Sequence, residues 1–486
     1  MIYSSHTFIC PFRWSIPADK NKLFSQQINL SRIEYRENSQ WVRTLDNEAE
    51  REIVYDEKNY FFEFVHPILY DDGSEGSMIR HFERQELHAK MPVKYKIKHK
   101  STDKLYVLDV AGMALNLYAT GVGTLIFNLH NTSEEQNTPD DILRINQYGR
   151  RFVLPFYSDR ESRVETAEYL EISGLKSEVC LREDFLSIQP DQPNKPARFI
   201  TELVEELTKN IEIAPIIDDR MFVVSWYIND ELKTKYALKT QDNLEKDFLY
   251  GDNFWYRFVF VDGGSDPTCQ NEKMYRELLE KHSYLRWQKW GTIYGITRYS
   301  MVMLIGAGAP EHLKTNMETE YTRMVELALV QRASVLRFSG EVSRISRLQE
   351  VSSKLSKKIS VLYSEYIRFV NQIYFREITA QEQGIEIYEM LHESMNTRQQ
   401  VEKLDDEVEE LFNHVSLMED RSSNKQMSYL SWVATLFIPI SFVSSLYGMN
   451  NGWDVETFQL WWIGGVLIAS IIVSSILLRI QNRKRH

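Results

Sequence analysis

The sequence predicts an α/β domain over residues 1–305, then long helices, then two membrane-spanning helices near the C-terminal end. Three observations predict it. Strand-like and helix-like segments alternate through the first 305 residues. Apolar residues recur at spacings of three and four through 401–418, as on one helix face. Two runs, 426–453 and 457–478, are free of charge except for Asp454 and Glu456 around their junction. The composition averages over these parts. With 43% hydrophobic and 26% charged residues and a mean hydropathy of −0.39, it excludes a carrier of many spans and a disordered chain. A formal charge of −12 excludes nucleic-acid binding by net charge, and no direct DNA or RNA partner is expected. Cys10, Cys180 and Cys269, widely spaced and odd in number, are read as reduced thiols of a cytosolic domain.

Within 1–305 the segments 59–70, 94–100, 104–131 and 220–228 read as strands, and 161–170 and 195–210 as helices. Gly121-Val122-Gly123 lacks the third glycine of a dinucleotide loop and reads as a hairpin or bulge. There is no Walker A loop, nucleophile elbow or CxxC pair, so no catalytic residue is assigned and no enzyme is expected. His81 and His88 lack metal-ligand spacing. Three clusters are candidates for a ligand pocket. Arg150 and Arg151 follow a turn-like NQYG and could clamp phosphate. Asp218, Asp219 and Arg220 precede a strand, where the carboxylates could accept from hydroxyls. Tyr284, Arg286, Trp287 and Trp290 could stack on a base. Surface ion pairs and core aromatics account for the same residues, and the sequence leaves both readings open.

Residues 306–378 predict an antiparallel helical pair, 311–350 and 351–377. A long helix follows from about residue 379 to 447, with 379–428 as its cytosolic stalk. Val401, Leu404, Val408, Leu411, Val415 and Met418 form a heptad seam on it, so it must pack on copies of itself or on neighbouring helices. The intervening KLDDEVEE reads as a solvated face.

The first span, 429–450, contains YLSWVATLFIPISFVSSLY, whose 19 residues extend about 28 Å as a helix. A short acidic loop, 451–459, leads to the second span, 460–478, and a basic tail, 479–486. The basic tail and acidic loop predict that both termini are cytoplasmic. The opening MIYSSHTFICPFRW is not expected to be a signal peptide. Asn424, Met427, Leu430, Ala434, Ile438, Ser441 and Ser445 recur every three or four residues, a stripe mixing polar, small and apolar groups. Such a stripe suits a water-filled bore or a helix contact.

At the outer end of the first span stands Tyr447-Gly448-Met449-Asn450. Together with Asn424, Met427, Leu430, Ala434-Thr435, Phe437-Ile438-Pro439 and Phe442, this YGMN resembles the signature of the CorA family of magnesium channels. The resemblance covers about the last 65 residues closely and the remaining layout loosely. It implies a funnel-shaped homopentamer in the bacterial inner membrane, with the first span lining a central pore and the second forming an outer ring. It implies that Gly448, Met449 and Asn450 form an external mouth for hydrated Mg²⁺, met by Asn450 amides and Gly448 carbonyls. Neutral oxygens suit an ion that gives up its water reluctantly. Mg²⁺ is then the transported ion and, in the family, also a regulatory one. Magnesium-gated members place acidic residues at the inner stalk mouth, where this chain has the uncharged Asn413, with Glu389, Asp405 and Glu410 as the available carboxylates.

Two other readings remain. LRINQYGRRFVLPF and YLRWQKWGTIYGITRYS are similar to stretches of the CorA-type membrane effectors associated with type III CRISPR defence. That resemblance implies a nucleotide messenger, a cyclic oligoadenylate or an AMP–S-adenosylmethionine conjugate, as the cytosolic ligand. The third reading is a non-conducting two-span receptor or scaffold, which the polar stripe and YGMN disfavour.

Overall fold

A computed structural model describes residues 1–17, 28–46, 57–85, 92–99, 104–153, 166–175, 180–185, 196–237, 253–264, 266–347, 353–449, 464–465 and 468. For 353–354, 418–426, 432, 435–440 and 442–449 it describes the backbone only. The strands are β1 (Ser4–Ser15), β2 (Trp41–Arg43), β3 (Ile79–Arg84), β4 (Lys94–His99), β5 (Leu105–Tyr118), β6 (Val122–Asn131), β7 (Ala167–Ser173), β8 (Leu181–Asp184), β9 (Glu212–Pro215), β10 (Phe222–Ile228), β11 (Ser283–Tyr284), β12 (Ile293–Ile296) and β13 (Ser300–Ile305). The helices are α1 (His66–Leu69), α2 (Pro139–Gly149), α3 (Arg198–Leu207), α4 (Asp230–Ala237), α5 (Asn253–Phe260), α6 (Glu272–His282), α7 (Glu311–Glu318), α8 (Glu320–Ser346), α9 (Ser353–Gln372), α10 (Glu382–Met395) and α11 (Thr397–Met449).

All the described strands join one sheet in the order β11-β12-β13-β10-β1-β6-β5-β4-β7-β8, with β3 and β2 branching from β5 and β9 pairing the end of β1. β10 and β13 run parallel and the other named pairs antiparallel. β1 is buried on both faces along nearly its whole length, as a central strand covered by helices must be. Alternation decides which helix covers which face. His6 bonds Asn146 of α2 at 2.7 Å, so its face of β1 looks at α2. On the opposite face His130 and Trp226, both paired with Ser5, bond Glu318 of α7 at 3.1 and 2.9 Å. α8 continues along that face, where Glu326 accepts from Asn116 at 2.6 Å, from Tyr118 at 2.8 Å and from Thr124. The result is a three-layer α/β domain followed by long helices.

Helix starts follow local chemistry. Thr138 caps α2 through a reciprocal box with Asp141, and Pro139 sits at the first helical position where no N–H is needed. The β5–β6 hairpin turns at Gly121, whose φ of +75° is the left-handed region that glycine occupies without strain.

Four expectations are corrected. The single helix expected over 311–350 is two, α7 and α8, broken at Thr319, whose φ of −109° and ψ of −91° are not helical. Residues 59–70 do not form a strand: Glu63–Val65 is a 3₁₀ turn and α1 follows, with Pro67 lacking the N–H a ladder requires. The 161–170 helix is overturned where it is described, because β7 pairs with β4 through an alternating AEYLEIS; 161–165 lie outside the described residues. The long helix expected from residue 379 is two helices. α10 ends at Asn396, which adopts φ +55° and ψ +34°, a left-handed cap that asparagine tolerates.

The chain divides into two compact units, 1–347 with 360–408, and 348–359 with 409–486. Within the first, Tyr366 of α9 packs edge-on against Phe338 of α8 and donates to the Val401 carbonyl at 3.4 Å. Val401, Leu404 and Val408 of the seam are buried there. In the second unit Val415 is buried and Leu411 half-buried, while Met418 is described by backbone alone.

Candidate functional site

Arg150 is the C-cap of α2, and the 150–153 segment that follows pairs with 218–221. Arg151 bridges Arg220, Met221 N–H donates to the Arg150 carbonyl, and Phe152 N–H donates to the Asp219 carbonyl. This pairing brings Arg150, Arg151, Asp218, Asp219 and Arg220 together. Arg151 Nη1 bonds Asp219; Arg220 Nη2 donates to Asp218 at 3.1 Å, and its guanidinium lies over the Tyr299 ring. Burial and the hydrogen bond to Asp219 raise the Asp218 pKa. Burial also opposes charge on Asp219, but Asp218, Arg151 and Arg220 outweigh it and hold that carboxyl below its ordinary value.

Arg150 is the unusual member. It is 2% exposed, its Nη2 donates to Gln147 at 3.0 Å and to the Val261 carbonyl at 3.2 Å, and its Nε and Nη1 have no partner among the described residues. Burial, then the neighbouring Arg220, brings it down to about 9, still cationic at neutral pH. The sequence reading missed a related residue. Arg332 of α8 is 9% exposed, its Nε and Nη1 have no partner among the described residues, and burial and Arg298 lower its pKa. The only signal was an arginine inside the apolar run ELALVQRASVL.

Arg286 and Trp287 face elsewhere. Arg286 pairs with Glu386 at 2.7 Å and Glu382 at 2.5 Å, Tyr284 bonds Glu386, and Trp287 donates to Gln383 at 3.0 Å, all on α10. Trp287 and Trp290 stack at 5.1 Å, with Trp290 exposed. These residues tie β11 and its turn to α10 rather than joining the Arg150 cluster.

The stripe of the expected first span lies on α11, whose backbone is helical through Gly448 and Met449. Met427 and Leu430 are each 65% exposed, and Ala434 and Ser441 are exposed. Two large apolar side chains open to their surroundings on one helix turn are a surface to be covered. Asn424, Ile438 and Ser445 are described by backbone alone; Asn450, the 451–459 loop and the 479–486 tail lie outside the described residues. Of the 460–478 span only Gly464, Gly465 and Ile468 are described. Among the described residues no helix is long and apolar enough to cross a membrane. Glu389, Asp405, Glu410 and Asn413 are exposed, and among the described residues no three His, Cys, Asp or Glu side chains group to hold a metal. His81 bonds Asn116 and Glu83, while His88 lies outside the described residues.

Residues 333–480 match the sequence model of the family described as CorA-like Mg²⁺ transporter protein. That segment is a CorA-like domain. It takes in the second half of α8, all of α9, α10 and α11, and the YGMN motif. The CorA-like domain covers a little under a third of the chain and starts inside the helix that covers the N-terminal sheet. No curated protein matches the chain.

Proposed function

We propose that the chain is one subunit of a CorA-type homopentameric channel of a bacterial inner membrane, conducting Mg²⁺ or a related divalent cation passively inward. The observation that carries this reading is the CorA-like match over 333–480, which includes the YGMN end of the first span. Gly448, Met449 and Asn450 form the outer mouth, where neutral oxygens hold the hydrated ion without trapping it. Asn424, Met427, Leu430, Ala434, Ile438, Ser441 and Ser445 line the bore. Met427 and Leu430, exposed on the single chain, become an apolar constriction when five copies surround an axis, and the pore closes there by dewetting. The 1–305 domain controls the gate, both termini are cytoplasmic, and 460–478 faces lipid.

The test is ion flux into liposomes holding the purified full-length protein. Wild type conducts Mg²⁺ down its gradient, and Asn450→Ala conducts markedly less. If both are silent with every ligand tried, the non-conducting scaffold takes the place of the channel.

A second reading changes the trigger and keeps the pore. The convergence of Arg150, Arg151 and Arg220 around Asp218 and Asp219 favours an anionic ligand with hydroxyls, and hence the nucleotide-gated antiviral effector. A cyclic oligoadenylate or AMP–S-adenosylmethionine conjugate then raises flux. Flux that answers to Mg²⁺ alone decides for the plain transporter.

A further inference from the structure

A cavity of about 620 Å³ lies where α8 passes the end of β1 and β9. Its charged lining is Arg13 of β1, Glu212 of β9, and Arg337, Glu341 and Arg344 of α8. Three guanidiniums against two carboxylates give the wall a positive sign in a chain of formal charge −12. Those charges are only partly matched to each other. Arg344 Nε donates to Glu341 at 3.0 Å, and Arg337 Nη1 donates to the carbonyls of Trp14 and Gly121 at 2.9 and 2.5 Å. The exposed Arg13 has no hydrogen bond or ion pair among the described residues. One helical turn before Leu336 stands the buried Arg332, whose Nε and Nη1 have no hydrogen-bond partner among the described residues. Ile213, Pro215 and Leu336 supply an apolar side. Gly340 leaves the cavity open: a Cβ there would meet nothing within 4 Å.

We propose that this cavity binds an organic phosphate of about nucleotide size. Its volume lies inside the roughly 300–1,000 Å³ of small-molecule sites. Guanidinium forks match phosphate oxygens, which Arg13, Arg344 and Arg337 surround. The apolar side takes the organic part, and Glu212 accepts from a hydroxyl. A polyacidic peptide is disfavoured because Glu212 and Glu341 would repel it. Burial brings Arg337 down to about 10, and a bound anion would reverse that shift. Because α8 runs on into the CorA-like domain, the ligand would grip the helix on which that domain begins.

The test is calorimetric titration and thermal melting of the full-length protein in detergent, with inorganic phosphate, AMP and ATP at fixed ionic strength. AMP or ATP should bind at least about tenfold more tightly than inorganic phosphate and raise Tm. Arg13→Gln and Arg344→Gln should each weaken binding about tenfold. Gly340→Leu fills the cavity and replaces a helix glycine with a better helix former, so Tm should hold or rise while binding is lost. Absence of binding by all three probes, or equal binding of phosphate and AMP, overturns the proposal. So does nucleotide binding that survives Gly340→Leu, which would place the ligand at the Arg150 cluster instead. Binding is read without ion flux, so its failure is separate from failure of the channel.

Discussion

The Nη1 atom of Arg337 lies 2.5 Å from the carbonyl oxygen of Gly121 at the turn of the β5–β6 hairpin. One contact thus fastens the helix that leads into the CorA-like domain to the tip of the central hairpin. Gly121 is held there for two reasons. Its φ is +75°, and a Cβ would stand 2.4 Å from Arg337 Cζ and 2.6 Å from Ile28 Cγ2. Gly121→Ala should therefore cost about 2–4 kcal/mol, combining left-handed strain with displacement of the guanidinium. Thermal or urea unfolding of the full-length protein checks it, and a loss below about 0.5 kcal/mol would mean the hairpin and α8 move apart freely.

Arg150 makes an opposite prediction. Its charge is buried with Nε and Nη1 unpartnered among the described residues, so removing it relieves a desolvation cost and forfeits two hydrogen bonds, to Gln147 and the Val261 carbonyl. Arg150→Met should leave stability unchanged or raise it by about 1–2 kcal/mol. Residues kept at a cost to stability are those that function requires. A fall of more than about 2 kcal/mol would make Arg150 a structural residue and remove the main support for a nucleotide trigger.

Acid should weaken the folded chain through two histidines. Burial, partly offset by the hydrogen bond to Asn146, lowers His6 to about 4, and burial together with Arg398 lowers His392 to about 4. Both are neutral when folded at pH 5, whereas the unfolded chain takes up their protons near pH 6.5. Their contribution is complete above about pH 6.5 and is lost as pH falls towards 4, at most about 3 kcal/mol each. Unfolding free energy measured from pH 7 to 4.5 should fall less steeply in His6→Gln and in His392→Gln than in wild type. Identical slopes would show that neither imidazole is buried in solution.

The hairpin, β4, β10 and α3 were legible from two signals: apolar and β-branched runs on either side of the Gly121 turn in 104–131, and four-residue spacing through Phe199, Leu203 and Leu207. The 59–70 segment misled because its aromatics favour strands while a single proline, Pro67, decides against one. The break at Asn396 was hidden in a polar stretch that reads equally well as continuous helix; only its left-handed backbone marks it. At the candidate site, neighbours in sequence were legible and distant ones were not. Arg150-Arg151 and Asp218-Asp219-Arg220 could be guessed as clusters, but their pairing depends on the 150–153 and 218–221 bridges. The burial of Arg332 and the cavity lined by Arg13, Arg337 and Arg344 come from the sheet's packing against α8, which no local pattern encodes.

The gate gives the last prediction. Met427 and Leu430 are three residues apart on α11 and each 65% exposed, so they lie on one side of the helix. If five such helices surround the bore, ten apolar side chains narrow it there, and water empties from a constriction that offers no hydrogen bonds. Asparagine is close to leucine in size but can hold water. Leu430→Asn and Met427→Asn should therefore raise basal Mg²⁺ flux by about tenfold or more without a change in fold, since neither side chain is buried in the chain itself. Asn450→Ala combined with Leu430→Asn should lower that flux again, because an open gate still needs an entrance that captures the hydrated ion. Flux in proteoliposomes loaded with a Mg²⁺-sensitive dye reads both. Unchanged leak in the single variants, with wild type conducting, would place the constriction away from this turn of α11.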